Sequence, residues 1–161
     1  MPRLLSDFLG LAMGLAACAL ASAAGELHSY AIIQDDASLL VSGRRVHLSG
    51  IYLPETTRHC RSTLLPVRCA SRAVLALEFK IQGFVHCFLA TENPDRSVNG
   101  RCYVGRSRFN EGVDLGGYLI EQGWALALPE APFEYHAKER IARHQGAGVW
   151  GFTVDRFGRG Q

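Results

Sequence analysis

Several things are scarce in this chain. No pair of cysteines stands two residues apart, so zinc-ribbon and zinc-finger spacings are missing, and His59 or His86 would have to complete any site built on scattered thiols. Internal repeats and low-complexity linkers are absent, which at 161 residues argues for one domain. Excess charge is small: net +2 with a pI near 8.3, a balance that loss of Arg3 and Asp7 together leaves unchanged. Strong nonspecific attraction to a polyanion therefore does not follow from composition. Arginine clusters do occur, at Arg44 and Arg45, at Arg58 and Arg61, at Arg106 and Arg108, and at Arg140, Arg143 and Arg156. On one face they would track a polyanion, single-stranded nucleic acid included, with Tyr103 and Phe109 as stacking surfaces; scattered, they are ordinary solvated side chains.

Long apolar runs are limited to one, Leu9 to Leu20, preceded by Arg3 and followed by Ala21-Ser22-Ala23-Ala24. That run is too short for a stable span and has the three regions of a signal peptide, with cleavage near Ala23 or Ala24. Residues 1–24 are thus expected to be a leader, 25–151 the domain and 152–161 a tail, and the destination a bacterial periplasm or the medium. An uncleaved anchor helix and acylation at Cys18, in Leu15-Ala16-Ala17-Cys18, are the alternatives. With the leader gone, Cys60, Cys69, Cys87 and Cys102 form an even set suited to two disulfides. Asn93-Pro94-Asp95-Arg96 reads as a type I turn. In a hairpin centred between Pro94 and Asp95, facing positions sum to 189, and Cys87 with Cys102 meets that sum. The remaining pair, Cys60 and Cys69, then staples the loop after Glu55.

Hydrophobic alternation predicts strands at Ser29–Ile33, Ser38–Ser42, Arg45–Ile51, Gly83–Ala90 and Gly100–Gly105. Ser42-Gly43 is the turn between the second and third. Helices are predicted at Cys69–Gln82, at Asp114–Gln122 with Asp114 as N-cap and Gly123 as stop, and at Phe133–His144. Trp124 and Trp150 are expected in the core. The third strand ends at Tyr52-Leu53-Pro54-Glu55, where Pro54 forbids further central pairing and leaves Glu55 at a strand mouth.

The run Asp35 to Glu55, DDASLLVSGRRVHLSGIYLPE, resembles the opening of the staphylococcal-nuclease-like (thermonuclease) family, D-G-D-[ST]-L-x-V-x-G-x-x-V-R-L-x-G-I-D-x-P-E. Gly100-Arg101, Asp114-Leu115 through Gly123-Trp124-Ala125, and Gly148-Val149-Trp150 extend the likeness across about Ser29 to Trp150. The resemblance implies an α+β fold: a five-stranded OB-fold β-barrel with about three helices. It also implies a phosphodiesterase site in which two aspartates hold Ca²⁺, two arginines clamp phosphate and a glutamate acts as general base.

The departures fall on those groups. In the ungapped register Asp35, Glu55 and Arg101 match the family, Asp35 as a remnant beside the metal position, while Ala37 and Tyr52 replace the two metal aspartates and His47 replaces one arginine. Ca²⁺ needs six to eight oxygen ligands, and alanine supplies none. Glu55 and Arg101 thus stand as catalytic remnants, and His47 and Arg101 as candidate substrate contacts. No metal or other cofactor is expected. The implied protein is a non-catalytic exported binding or structural module. The alternative is a Ca²⁺-dependent phosphodiesterase or endonuclease on DNA or RNA with an altered site, in which an extra hairpin residue slides Asp36 onto the second metal position.

Overall fold

A computed structural model describes residues 25–54 and 72–151. Five strands close into a barrel: β1 (Glu26–Ile33), β2 (Leu39–Val41), β3 (Arg44–Leu48), β5 (Phe84–Glu92) and β6 (Val98–Val104). Their order is β3-β2-β1-β5-β6, and a parallel β3–β6 pairing shuts the cylinder, so no barrel strand is left as an open edge. The short strands β4 (Ile51–Tyr52) and β8 (Leu126–Ala127) pair with each other, and β7 (Val113–Asp114) extends β6. Helices α1 (Arg72–Lys80), α2 (Leu115–Glu121) and α3 (Phe133–Gln145) and a 3₁₀ turn at Gly148–Gly151 complete the α+β, OB-like architecture.

Period-two alternation sends one set of side chains inward. Leu39, Val41, Val46, Val85, Cys87 and Cys102 are fully buried, and Leu77 of α1 with Leu115, Leu119 and Ile120 of α2 plugs the core from the helical side. Each such aliphatic side chain removed from water contributes roughly 1.5–3 kcal/mol. Cys87 and Cys102 face each other across β5 and β6 and are disulfide-bonded, with Cα atoms 4.0 Å apart. Cys60, Cys69, the expected leader at residues 1–24 and the expected tail at 152–161 lie outside the described residues.

The hairpin arithmetic reaches the right cysteine pair although its centre is displaced. The loop is three residues long, Pro94 to Arg96, so Thr91 faces Asn99 and Glu92 faces Val98, each pair one position beyond the expected register. A bulge between Leu89 and Thr91 takes up the difference, and from Leu89↔Gly100 onward the expected pairs hold. Gly100 is required there, because a Cβ would sit 2.7 Å from the Phe88 carbonyl oxygen.

Other boundaries also differ. β1 starts at Glu26 rather than Ser29, because its pairing with β5 continues to Phe88. The predicted strand Arg45–Ile51 is two elements, since Gly50 at φ 76° breaks the run before β4 turns toward β8. Asp114 caps α2 as expected, accepting from the Gly116 N–H at 3.1 Å, and Gly123 follows the C-cap at φ 71°. Trp150 is only partly buried, with the Arg143 guanidinium 4.1 Å from its ring centre.

Candidate functional site

Two turns of the barrel are built alike. In Gln34-Asp35-Asp36-Ala37-Ser38 the Ala37 N–H donates to the Gln34 carbonyl at 2.9 Å, and the Gln34 N–H donates to the Ser38 carbonyl at 2.8 Å. In Asn93-Pro94-Asp95-Arg96-Ser97 the matching bonds are 3.0 and 2.8 Å. Asp36 accepts from the Ser38 N–H at 3.0 Å and its hydroxyl at 2.6 Å, and Asp95 does the same with Ser97 at the same distances. The residue before each serine is left-handed, Ala37 at φ 59° and Arg96 at φ 66°. A non-glycine side chain pays about 1–2 kcal/mol in that region, less for aspartate or asparagine.

These turns join β1 to β2 and β5 to β6, the positions that flank the ligand face of OB barrels. His47 lies between them, half-buried on the outer side of β3, and its charge when protonated lowers both turn carboxylates. For Asp36, burial pushes the pKa up, but the two Ser38 hydrogen bonds and the Arg45 guanidinium, 3.4 Å away, bring it below the ordinary 3.8. For Asp95, the Ser97 bonds lead and also set it low. An open groove beside the second turn is lined by Leu40, Arg44, Arg45, Glu92, Asp95 and Arg96, three guanidiniums against two carboxylates.

Arg101 points outward from β6. Since His47 faces Asn99 across the parallel β3–β6 pair, Arg101, two residues further along β6, lies on the same outer face. Ala37, in contrast, is 3% exposed and packs with the barrel core, so the position that would need a carboxylate offers a methyl group turned inward. Tyr52 is 45% exposed on β4 and pairs with Leu126. Asp35 is exposed at its turn. Glu55 lies outside the described residues.

One nitrogen of the Arg101 guanidinium is engaged by two carboxylates. That nitrogen, Nη2, donates to Asp114 Oδ2 at 2.8 Å and to Glu134 Oε1 at 2.5 Å. Asp114 Oδ2 also accepts from the buried Tyr135 hydroxyl at 2.7 Å, and Tyr135 lies under the guanidinium, ring centre 5.6 Å away. Burial alone would lower the arginine pKa, but the hydrogen bond and charge of Asp114 raise it, so it stays a cation at every ordinary pH. Burial first, and then the Asp114 charge, push the Tyr135 hydroxyl far above the tyrosine range. Arg101 Nε is buried without a hydrogen-bond partner among the described residues.

Asp114 was expected as a helix cap, but its bonds to Arg101 and Tyr135 were not, nor were the roles of Glu134 and Tyr135. One signal was present. Gly116-Gly117 inside a helix costs about 1 kcal/mol per glycine and calls for a reason. Tyr135 is that reason, because a Cβ on Gly116 would lie 2.7 Å from its hydroxyl. Among the described residues no cluster of three or more His, Cys, Asp or Glu could hold a metal ion. Nor is any described helix long and apolar enough to cross a membrane.

No protein-family profile matches the chain. Among characterised proteins it is similar to the succinoglycan biosynthesis protein ExoI of Rhizobium meliloti (strain 1021), 26% identical over 141 residues, covering 81% of this chain and 68% of that protein.

Proposed function

We propose that this chain is an exported staphylococcal-nuclease-like domain that performs no metal-dependent phosphodiester cleavage and works as a binding module. The observation that carries this reading is the state of Arg101. The phosphate-clamp remnant spends Nη2 on Asp114 and Glu134, so its charge is already balanced by protein carboxylates before any ligand arrives. Ala37 adds no ligand oxygen, and Asp36 is committed to Ser38 and Arg45, as Asp95 is to Ser97 in the twin turn. That twinning supports Asp36 as a turn residue and the ungapped register.

Without a bound ion there is no Lewis acid for the phosphate and no activated water, and Glu55 alone would supply general-base help of about 10²–10⁴-fold. The similarity to a protein named for succinoglycan biosynthesis supports a glycan as the ligand class. Export rests on the leader read in residues 1–24.

Ca²⁺ titration followed by calorimetry and by melting temperature tests the reading. The wild-type protein should take up no Ca²⁺ and show no Ca²⁺-dependent stabilisation. The variant Ala37→Asp/Tyr52→Asp/His47→Arg, which restores the missing groups, should gain binding. Stoichiometric micromolar Ca²⁺ binding by wild type would overturn it.

A further inference from the structure

The outer face of β1, β5 and β6 carries a run of rings that the site above does not use. Tyr30 faces Phe84 with ring centres 4.3 Å apart, Phe84 lies 5.3 Å from His28, and His28 stacks on His86 at 5.3 Å. His86 stacks on Phe88 at 4.8 Å, and Phe88 meets the edge of Tyr103 at 5.9 Å. Arg106 closes the far end, its guanidinium 4.9 Å from the Phe88 ring centre and 5.5 Å from that of Tyr103. From Phe84 to Phe88 the strand rise alone makes this strip roughly 14 Å long.

The strip is accessible at its Tyr30 end, where Tyr30 is 65% and Phe84 51% exposed. Arg106 has no carboxylate within ion-pair distance among the described residues, and its one hydrogen bond there is a long 3.5 Å contact to the Glu111 carbonyl. The acids nearby are Glu26, 3.1 Å from His86, Glu111, and Asp114, which faces Tyr103 across β6 and β7 and, with Glu134, is paired with Arg101. Hydroxyl, imidazole and guanidinium groups are interleaved with the rings, so the strip is amphipathic and carries donors for an anionic, hydroxyl-rich ligand.

We propose that this strip is a binding platform for a carboxylate-bearing polysaccharide. This rests on the binding-module reading and adds a surface and a ligand class to it. A glycan needs one or two open ring faces for its apolar side, here Tyr30 and Phe84, and donors for its hydroxyls and carboxylates, here the imidazoles and Arg106. Single-stranded nucleic acid fits less well, because successive bases need successive open ring faces. The middle rings are already covered by one another: His28 on His86 at 26° and His86 on Phe88 at 16° between planes. A second copy of the chain fits less well too, since a contact across this strip would bury Arg106, a cation with no carboxylate partner among the described residues.

The test uses the full mature chain with an oligogalacturonate as the carboxylate-bearing probe, a neutral dextran oligosaccharide and poly(dT), each titrated by calorimetry at low and high salt. Oligogalacturonate should bind, weaken as salt rises, and bind at least fivefold more tightly than dextran. Tyr30→Ala, Phe84→Ala and Arg106→Gln should each weaken it at least fivefold at unchanged melting temperature, and Arg140→Gln on α3 should not. Overturning results are no oligogalacturonate binding, binding indifferent to all three substitutions, poly(dT) binding in its place that the substitutions abolish, or a dimer by sedimentation that Tyr30→Ala dissolves. A Ca²⁺-dependent cleavage assay on the same preparation reports separately on the binding-module reading.

Discussion

Replacing Asp114 by alanine removes three hydrogen bonds at once: to the Gly116 N–H, the Tyr135 hydroxyl and Arg101 Nη2. Loss of the N-cap costs about 1 kcal/mol. The Tyr135 hydroxyl belongs to a residue 1% exposed, and leaving it unpaired costs about 1–3 kcal/mol. The Arg101 pair is partly open to solvent, side chains 37% and 16% exposed, so screening holds its share to roughly 0.5–1 kcal/mol. Together the substitution should destabilise the domain by about 3–4 kcal/mol, a fall in melting temperature on the order of 10 °C. Asp114→Asn keeps an acceptor for the cap and should cost roughly a third as much.

Urea unfolding of Asp114→Ala, Tyr135→Phe and the double variant separates the contributions. Since Tyr135→Phe removes the orphaned hydroxyl, the double variant should be more stable than the sum of the singles by about 1–2 kcal/mol. A loss below about 1 kcal/mol in Asp114→Ala, or singles that add within about 0.3 kcal/mol, would refute the network as the holder of Arg101.

Reducing the Cys87–Cys102 bond should cost about 3 kcal/mol for a loop of this length, read as a lower melting temperature in dithiothreitol or in Cys87→Ala/Cys102→Ala. Arg96→Gly should raise stability by about 0.5–1 kcal/mol because it relieves an exposed left-handed side chain, whereas Ala37→Gly, which also loses a buried methyl, should be close to neutral. Asp36 and Asp95 are held below 3.8 in the folded state, so each contributes stability above its unfolded pKa that is lost as pH falls through the folded value. Melting temperature should thus be level in this respect above about pH 5 and drop below 3.8, less steeply in Asp36→Asn/Asp95→Asn; equal slopes in both proteins would contradict the assignment.

The strands were readable because they alternate cleanly, whereas their closure into a barrel was implied by the family resemblance. Leu39, Val41, Val46 and Leu48 on one side, against Arg45 and His47 on the other, specify both the hairpin and its inward face. The Ser42-Gly43 turn, with φ 49° and 78°, is likewise written in two residues. What escaped depends on contacts between residues far apart in the chain. Arg101 meets Glu134 across 33 positions, and Tyr135 meets Asp114 across 21, pairings that no local period encodes. The ring strip escaped for a related reason: His28, His86 and Tyr103 become neighbours only when β1, β5 and β6 are laid side by side. The bulge between Leu89 and Thr91 was hidden because it offset the longer turn.

On the proposed function the chain carries out no metal-dependent cleavage although Glu55 and Arg101 are present. The most direct measurement is cleavage of single-stranded DNA and RNA by the purified mature protein in Ca²⁺ and in EDTA, beside a Glu55→Gln control. Product formation should be no greater than in the control in either buffer. Ca²⁺-stimulated cleavage by wild type that disappears in Glu55→Gln would contradict it and make the chain a nuclease with an altered site.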